Sequence, residues 1–477
     1  MKITQKILVI STLLIGLLVR TYKLDSPIAD WHSFRQADTA SVTRNLLNHT
    51  GSFFKPTYHD YSNIQSGLDN PKGYRMVELP IYNFLSASVF EVLNPIISTL
   101  DIETISRLIS ITLSLLSSYI IFLFVQKQTG LFLPSFFSMA FFLLLPFNIF
   151  YSRTILPEST AVFFMVLGLY LFPISPPLAG LPLALSVLTK PYTLLILFPT
   201  LLVLSFLKFK KLSLPAFFQL LIFSLITLAP FLAWRFWIRQ FPEGIPVNKW
   251  LFNEGGMRFR PAWFRWLYFE RIGKLILGAY GTMFIPLGLA LKKNRIQLVS
   301  FSLLAGILIY FSVIARGNIQ HDYYQSLIIP QLSIIIGLGA YYFYKILFKN
   351  KLLSLTALTL FSLFSLSFSW YQVQEYYKIN NPVIIEAGQQ IDKIVPKDSL
   401  LIAPYNGDTA FLYQSNRSGW PIEIYDIDNI KNQHPGRSIY FASVNFDDYT
   451  NNLLLKYDVL FKNEKFIILD LNNEIKN

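Results

Sequence analysis

Five polar stretches interrupt an otherwise apolar chain, and each holds groups able to move a proton or bind an anion. DWHSFRQADTASVTRN brings Asp30, His32, Arg35, Gln36, Asp38 and Arg44 into one short span, directly after an apolar run. DNPKGYRMVELPIYN adds Asp69, Lys72, Arg75, Glu78 and Tyr82; SRTILPE adds Arg153 and Glu158; LTKPY adds Lys190; NIQHDYYQ adds His321, Asp322, Tyr323 and Tyr324. Carboxylates are the groups that accept protons in general base chemistry, and Lys and Arg are the groups that hold anions. Each residue also has a plain structural explanation. Asp38 before TASVTRNLL reads as a helix N-cap, and Glu158 after Pro157 reads as a first-turn acid facing the helix dipole. Lys190 reads as a snorkelling helix-end lysine, and the tyrosines as an interfacial belt.

The elements that position these residues are membrane helices. Of 477 residues, 53% are hydrophobic and 14% charged, far from the usage of soluble proteins. A crossing needs roughly 20 apolar residues, and runs of that kind recur from 7–19 through 352–368, giving about 11 to 13 transmembrane helices. The first run follows Lys2 and Lys6 without a small-residue cleavage site, so it reads as a retained span rather than a signal. The stretch LPIYNFLSASVFEVL, broken by Asn83 and Glu91, reads as an interfacial helix.

Loop charge sets the orientation. QKQTG, KFKK, LKKNR and KILFKNK are short and basic, which places them and the N-terminus on the cytoplasmic side. All five polar stretches then fall on the outer face. The net charge of +13 is explained by these connections, which excludes nucleic acid as a partner. With no cysteine, disulfides, thiolate zinc sites and thiol catalysis are excluded.

After Trp370 the pattern changes. PVIIEAGQQIDKIV has helical spacing, while DSLLIAPYN, PIEIYDID, RSIYFASVNF and EKFIILDLN read as short strands. The expected organisation is an α-helical polytopic membrane domain over 1–370, with a first external loop at 20–104 carrying interfacial helices, and a small extracytoplasmic α/β domain over 371–477. The loop from Trp237 to Lys274 is basic and aromatic, which suits either a membrane-lying lid or an amphipathic anchor.

In this order, FRQADTASVTRN, ELPIYNFL, YSRTILPES, LTKPY and HDYYQSLIIP resemble the lipid-linked-sugar-dependent glycosyltransferases of the GT-C fold, specifically glycosyltransferase family 39. The resemblance covers nearly the whole membrane domain. It implies that an acceptor hydroxyl attacks the anomeric carbon of a polyprenyl-phosphate sugar with inversion, at the outer face of a plasma or inner membrane. It implies Asp38 as base, with Asp30 as the alternative, and Glu158 as a supporting acid, sometimes acting through a divalent metal cation in such enzymes. Arg153 and Lys190 are implied for the lipid phosphate, Glu78 for the sugar, and Arg35, Tyr82, His321 and Tyr324 as further substrate contacts. The partners implied are the polyprenyl-phosphate donor, a protein, lipid or glycan hydroxyl, and membrane lipids. A polysaccharide flippase or a lipid-linked glycan polymerase or ligase would share this topology, although a transporter would place ionisable groups at the midplane and show paired repeats.

Overall fold

The computed structural model describes residues 2–291 and 294–475. Lys292 and Lys293 of the basic connection LKKNR lie outside the described residues. The chain divides into two compact units. One, the helical unit, comprises 1–24, 107–236 and 248–376; the other, the mixed unit, comprises 25–106, 237–247 and 377–477. The first external loop, expected to go with the membrane-spanning part, thus clusters with the C-terminal α/β residues.

Seven helices are long and apolar enough to cross a bilayer, and a bent pair, Pro261–Ile276 with Tyr280–Leu289, would make eight. Phe132–Leu144, Glu158–Leu171 and Pro176–Thr189 are apolar but only 13 or 14 residues long, and the expected 11 to 13 crossings are reached only if these also cross. At the centre of the helical unit lies Ile329–Ile346, most of it buried. Glycines let its neighbours approach closely: a Cβ on Gly337 would lie 2.4 Å from the Ser138 backbone, and one on Gly339 would lie 1.9 Å from the Phe284 carbonyl oxygen. Without a hydrophobic effect between helices in lipid, such close packing supplies the association energy.

The bend after Ile276 is 110°. It frees carbonyl groups that lipid could not satisfy. Ser365 Oγ donates to the Leu277 carbonyl and Ser369 Oγ to that of Leu275, both at 2.7 Å, so the helix Lys351–Val373 repairs the break. Gly278 stands there with φ +52, and a Cβ on it would overlap the Ser365 carbonyl.

In the mixed unit, five strands run in the order β2-β1-β3-β5-β4, where β1 is Leu400–Ile402, β2 Ser418–Trp420, β3 Ile439–Ser443, β4 Tyr457–Lys462 and β5 Ile467–Glu474. The β2-β1-β3 pairings are parallel and the β3-β5-β4 pairings antiparallel. Ile402, Phe441, Ile467 and Leu469 form the core of the sheet. PVIIEAGQQIDKIV is helical as expected, over Val383–Ile394. PIEIYDID is not a strand. The edge strand comes just before it, and Ile427 already belongs to the helix Ile427–Gln433, N-capped by Asp426. The β2 edge is covered by the first loop: Tyr61 N donates to the Gly419 carbonyl (2.7 Å) and Gly419 N to that of His59 (2.8 Å). That closes a hydrogen-bonding row which would otherwise stand open.

Candidate functional site

The helix Ser33–Leu47 carries Arg35, Gln36, Asp38 and Arg44 of the opening stretch and starts after His32, whose φ is +55. Asp38 is therefore well inside the helix, and the N-cap expectation fails. The side chain is 1% exposed, and its partners come from elsewhere in the mixed unit. Arg75 Nη2 lies 2.8 Å from Oδ2, and Thr409 Oγ1 donates to Oδ1 at 2.8 Å. One turn before Asp38, Arg35 pairs with Glu78. Arg35, Asp38, Arg75 and Glu78 together line a crevice of about 10 Å³, the size of one water. Gln36 Nε2 donates to Asp30 at 2.7 Å, which fixes the alternative carboxylate on the first turn of the same helix. Asn83 Nδ2 donates to the Thr39 carbonyl and Thr43 Oγ1, pinning the helix Ile81–Leu93 against this one. Tyr82 turns away, its hydroxyl donating to the Ser106 carbonyl at 2.8 Å.

Further titrating groups surround Asp38. Burial first, with the Asp38 charge adding to it, pushes Asp60 up to about 6. Burial also lifts Asp408 to about 6. His59 goes the other way, lowered by burial to about 4. Desolvation penalises the charged form of each group.

In the helical unit the helices Glu158–Leu171 and Pro176–Thr189 run antiparallel. Ser186 Oγ donates to the Ala161 carbonyl at 2.8 Å, and a Cβ on Gly168 would meet Leu183 at 2.4 Å. The first position of one helix thereby faces the C-cap of the other, and Lys190 Nζ lies 2.8 Å from Glu158 Oε1. Pro191 ends the second helix because it disfavours helical backbone at Lys190, which is extended at φ −145. Beyond the pair lies a void of about 10 Å³ touched by Glu158, Tyr151 and Ser326. Tyr151 leads to Asp322, which is fully buried and accepts from the Tyr151 and Tyr376 hydroxyls and from Arg271 Nη1 at 3.0 Å. His321 packs against Tyr323 and Trp250, while Tyr324 packs against Tyr192. Arg153 donates to the Lys23 carbonyl at 2.7 Å and lies over Phe150.

Asp30, Arg35, Asp38 and Glu78 are thus gathered in one unit, and Glu158, Lys190, His321 and Tyr324 belong to the other. Sequence reasoning missed Arg75 as the partner of Asp38, and it missed His59, Asp60, Asp408 and Thr409 altogether. HDY at 59–61 and GDT at 407–409 were the available signals, each pairing an acid with a second polar side chain beside a turn glycine or tyrosine. The segment RSGW at 417–420 serves the fold. Arg417 donates to the Val395 carbonyl at the end of a helix and to Asp392, and the Gly419 backbone, at φ +156, runs so near Leu401 that no Cβ fits. Within either unit no three His, Asp or Glu side chains converge as a metal-binding group among the described residues.

No protein-family profile matches the sequence, and no curated protein is detectably similar. Among solved structures, ArnT from Cupriavidus metallidurans in the apo state superposes with a TM-score of 0.67 at 13% identity, over 97% of both chains. The same protein bound to undecaprenyl phosphate gives 0.63 over the same shares. The oligosaccharyltransferase AglB from Archaeoglobus fulgidus, in complex with an inhibitory peptide and a dolichol-phosphate, gives 0.56 at 11% identity over 91% of this chain and 69% of its own. The fold of this chain is the GT-C fold. The narrower likeness to glycosyltransferase family 39 has no such support.

Proposed function

We propose that this chain is an inverting membrane glycosyltransferase that moves a sugar from a polyprenyl-phosphate donor to an acceptor hydroxyl at the outer face of a plasma or inner membrane, with its N-terminus cytoplasmic. The observation that carries the reading is the buried Asp38 carboxylate, held by Arg75 and Thr409, on a chain that shares the fold of a protein crystallised with undecaprenyl phosphate. Arg75 keeps the carboxylate charged in this dry setting and Thr409 orients it, and a charged, oriented carboxylate is what a general base requires.

The acceptor oxygen forms its bond to the anomeric carbon as its proton passes to Asp38, and the bond from that carbon to the phosphate oxygen breaks. The leaving polyprenyl phosphate is already a good leaving group, so fixed cations serve it better than an acid. Lys190, steadied by Glu158, is the cation assigned to it. The exposed Phe259, Phe264, Trp266 and Phe269, interleaved with Arg258, Arg260 and Arg265, suit a segment lying on an anionic membrane surface.

The test is to incubate the purified protein with a panel of polyprenyl-phosphate sugars and follow polyprenyl phosphate by mass spectrometry. Release is expected with at least one donor, and in sealed right-side-out vesicles it should need no membrane opening for an impermeant acceptor. Silence with every monosaccharide donor overturns the reading; turnover with lipid-linked oligosaccharides alone would favour a polymerase or ligase. Release only after the vesicles are opened would overturn the outer-face assignment.

A further inference from the structure

A polar cavity of about 410 Å³ in the mixed unit touches none of the residues assigned above to proton transfer or phosphate binding. Its volume is in the range of small-ligand pockets. One wall is the helix that carries Asp38, through Ser41 and Arg44; another is the loop with His59 and Lys72; the α/β part contributes Lys397, Ser399 and Arg437.

Its charge is one-sided. Arg44, Lys72, Lys397, Arg417 and Arg437 line it, against Asp398 as the one acid. Arg44 is neutralised by Glu103 at 3.1 Å and Arg417 by Asp392 at 2.7 Å. Lys72, Lys397 and Arg437 make no ion pair with a carboxylate among the described residues, and all three are exposed at the rim. Such a ring costs self-repulsion unless an anion visits it. The interior is polar and underused. His59 is 5% exposed and Ser399 2%; neither His59 ring nitrogen makes a well-formed hydrogen bond, the Thr409 backbone being its nearest partner, and the Ser399 hydroxyl has none. Buried polar groups left without partners are costly, and a ligand with several hydroxyl groups would satisfy them.

Position ties the cavity to the chemistry. Ser41 lies one helical turn after Asp38, and its hydroxyl donates to the Asp38 carbonyl at 2.8 Å. The i and i+3 positions share a helix face, so the cavity begins about 5 Å along the helix from the proposed base.

We infer that this cavity is the acceptor subsite, and that the acceptor is an anionic saccharide, a sugar unit bearing phosphate or carboxylate. The inference rests on the transferase reading and names its acceptor class. Aromatic and hydroxyl groups inside take the sugar, the rim cations take the charge, and a free hydroxyl is left toward Asp38.

The test uses the full chain in detergent and calorimetric binding of glucosamine 6-phosphate, galacturonate, glucose and inorganic phosphate. Both charged sugars should bind at least about tenfold more tightly than glucose and than inorganic phosphate, with affinity falling as salt rises. Lys397→Gln with Arg437→Gln, both at exposed positions, should weaken the charged sugars about tenfold and leave polyprenyl-phosphate-sugar binding unchanged. Lys397→Glu should weaken them further. Equal binding of glucose, inorganic phosphate binding as tightly as the sugar phosphate, or indifference to the rim substitutions would each overturn the inference. The two readings fail separately: charged-sugar binding without release from any donor would refute the transferase alone, and donor turnover without charged-sugar binding would refute the acceptor class alone.

Discussion

Asp38–Arg75 and Glu158–Lys190 are both buried acid–cation pairs at 2.8 Å, yet their surroundings have little in common. Asp38 stands in a crowd. Thr409 donates to it, Asp60 and Asp408 titrate close by, and Arg35 and Glu78 share its crevice. Glu158 has Lys190 and no other donor to either oxygen among the described residues. A cluster can redistribute charge when one member changes; an isolated buried pair cannot, and loses far more when broken than it gained when formed. On the proposed transferase reading, the crowd suits passing a proton and the isolated pair suits keeping a charge fixed. The cations agree: Arg75 offers a planar fork for shared hydrogen bonds, Lys190 a point charge.

The largest expected effect is on turnover. Asp38→Asn should lower transfer about 10³-fold, within the usual range for loss of a general base, while donor binding stays within about threefold. Wild-type rates would remove Asp38 from the chemistry and turn attention to Asp30. Next comes stability on the other side of the comparison. Lys190→Met should cost about 3–5 kcal/mol in detergent unfolding, because Glu158 is left charged and buried. Combining it with Glu158→Gln should restore most of that without restoring donor affinity. If Asp38→Asn cost as much stability as Lys190→Met, the contrast between crowd and isolated pair would be void.

The smallest effect is a pH dependence confined to the crowd. Asp60, raised to about 6, binds its proton more tightly in the folded state than in the unfolded one. Its stabilising contribution is therefore full below about pH 4 and lost as pH rises through 6. Asp60→Asn should raise stability by about 3 kcal/mol at pH 7.5, with the gain vanishing near pH 4. His59, lowered to about 4, has the opposite sign: its contribution is present above about pH 6.5 and lost as pH falls through 4. His59→Gln should accordingly gain on the native protein only under acid conditions. Melting curves of the full chain across this range would read both, and a pH-independent offset for Asp60→Asn would contradict its placement.

Much of this comparison was legible in the sequence, for reasons that also mark where legibility ended. Apolar runs and loop charge depend on local composition, so the helices and polar stretches could be read directly, and Glu158 and Lys190 stood out because each ends an apolar run. Arg75 and Thr409 could not be tied to Asp38, since the Thr409 bond spans 371 residues of sequence. β2 escaped because three residues, one of them Gly419, leave no alternation to detect, whereas PIEIYDID alternates and yet is not a strand. The grouping of the first loop with the α/β residues was hidden for the same reason: main-chain bonds between His59, Tyr61 and Gly419 leave no trace in side-chain pattern.

The two 14-residue helices that end at Glu158 and Lys190 have one more consequence. Each rises about 21 Å, against a hydrocarbon layer of about 30 Å. A bilayer that accommodates this hairpin across its width must dimple toward it by about 9 Å. Lipid headgroups at that face would come closer to the level of the ion pair, and on the proposed reading local membrane thickness would become a control on substrate capture.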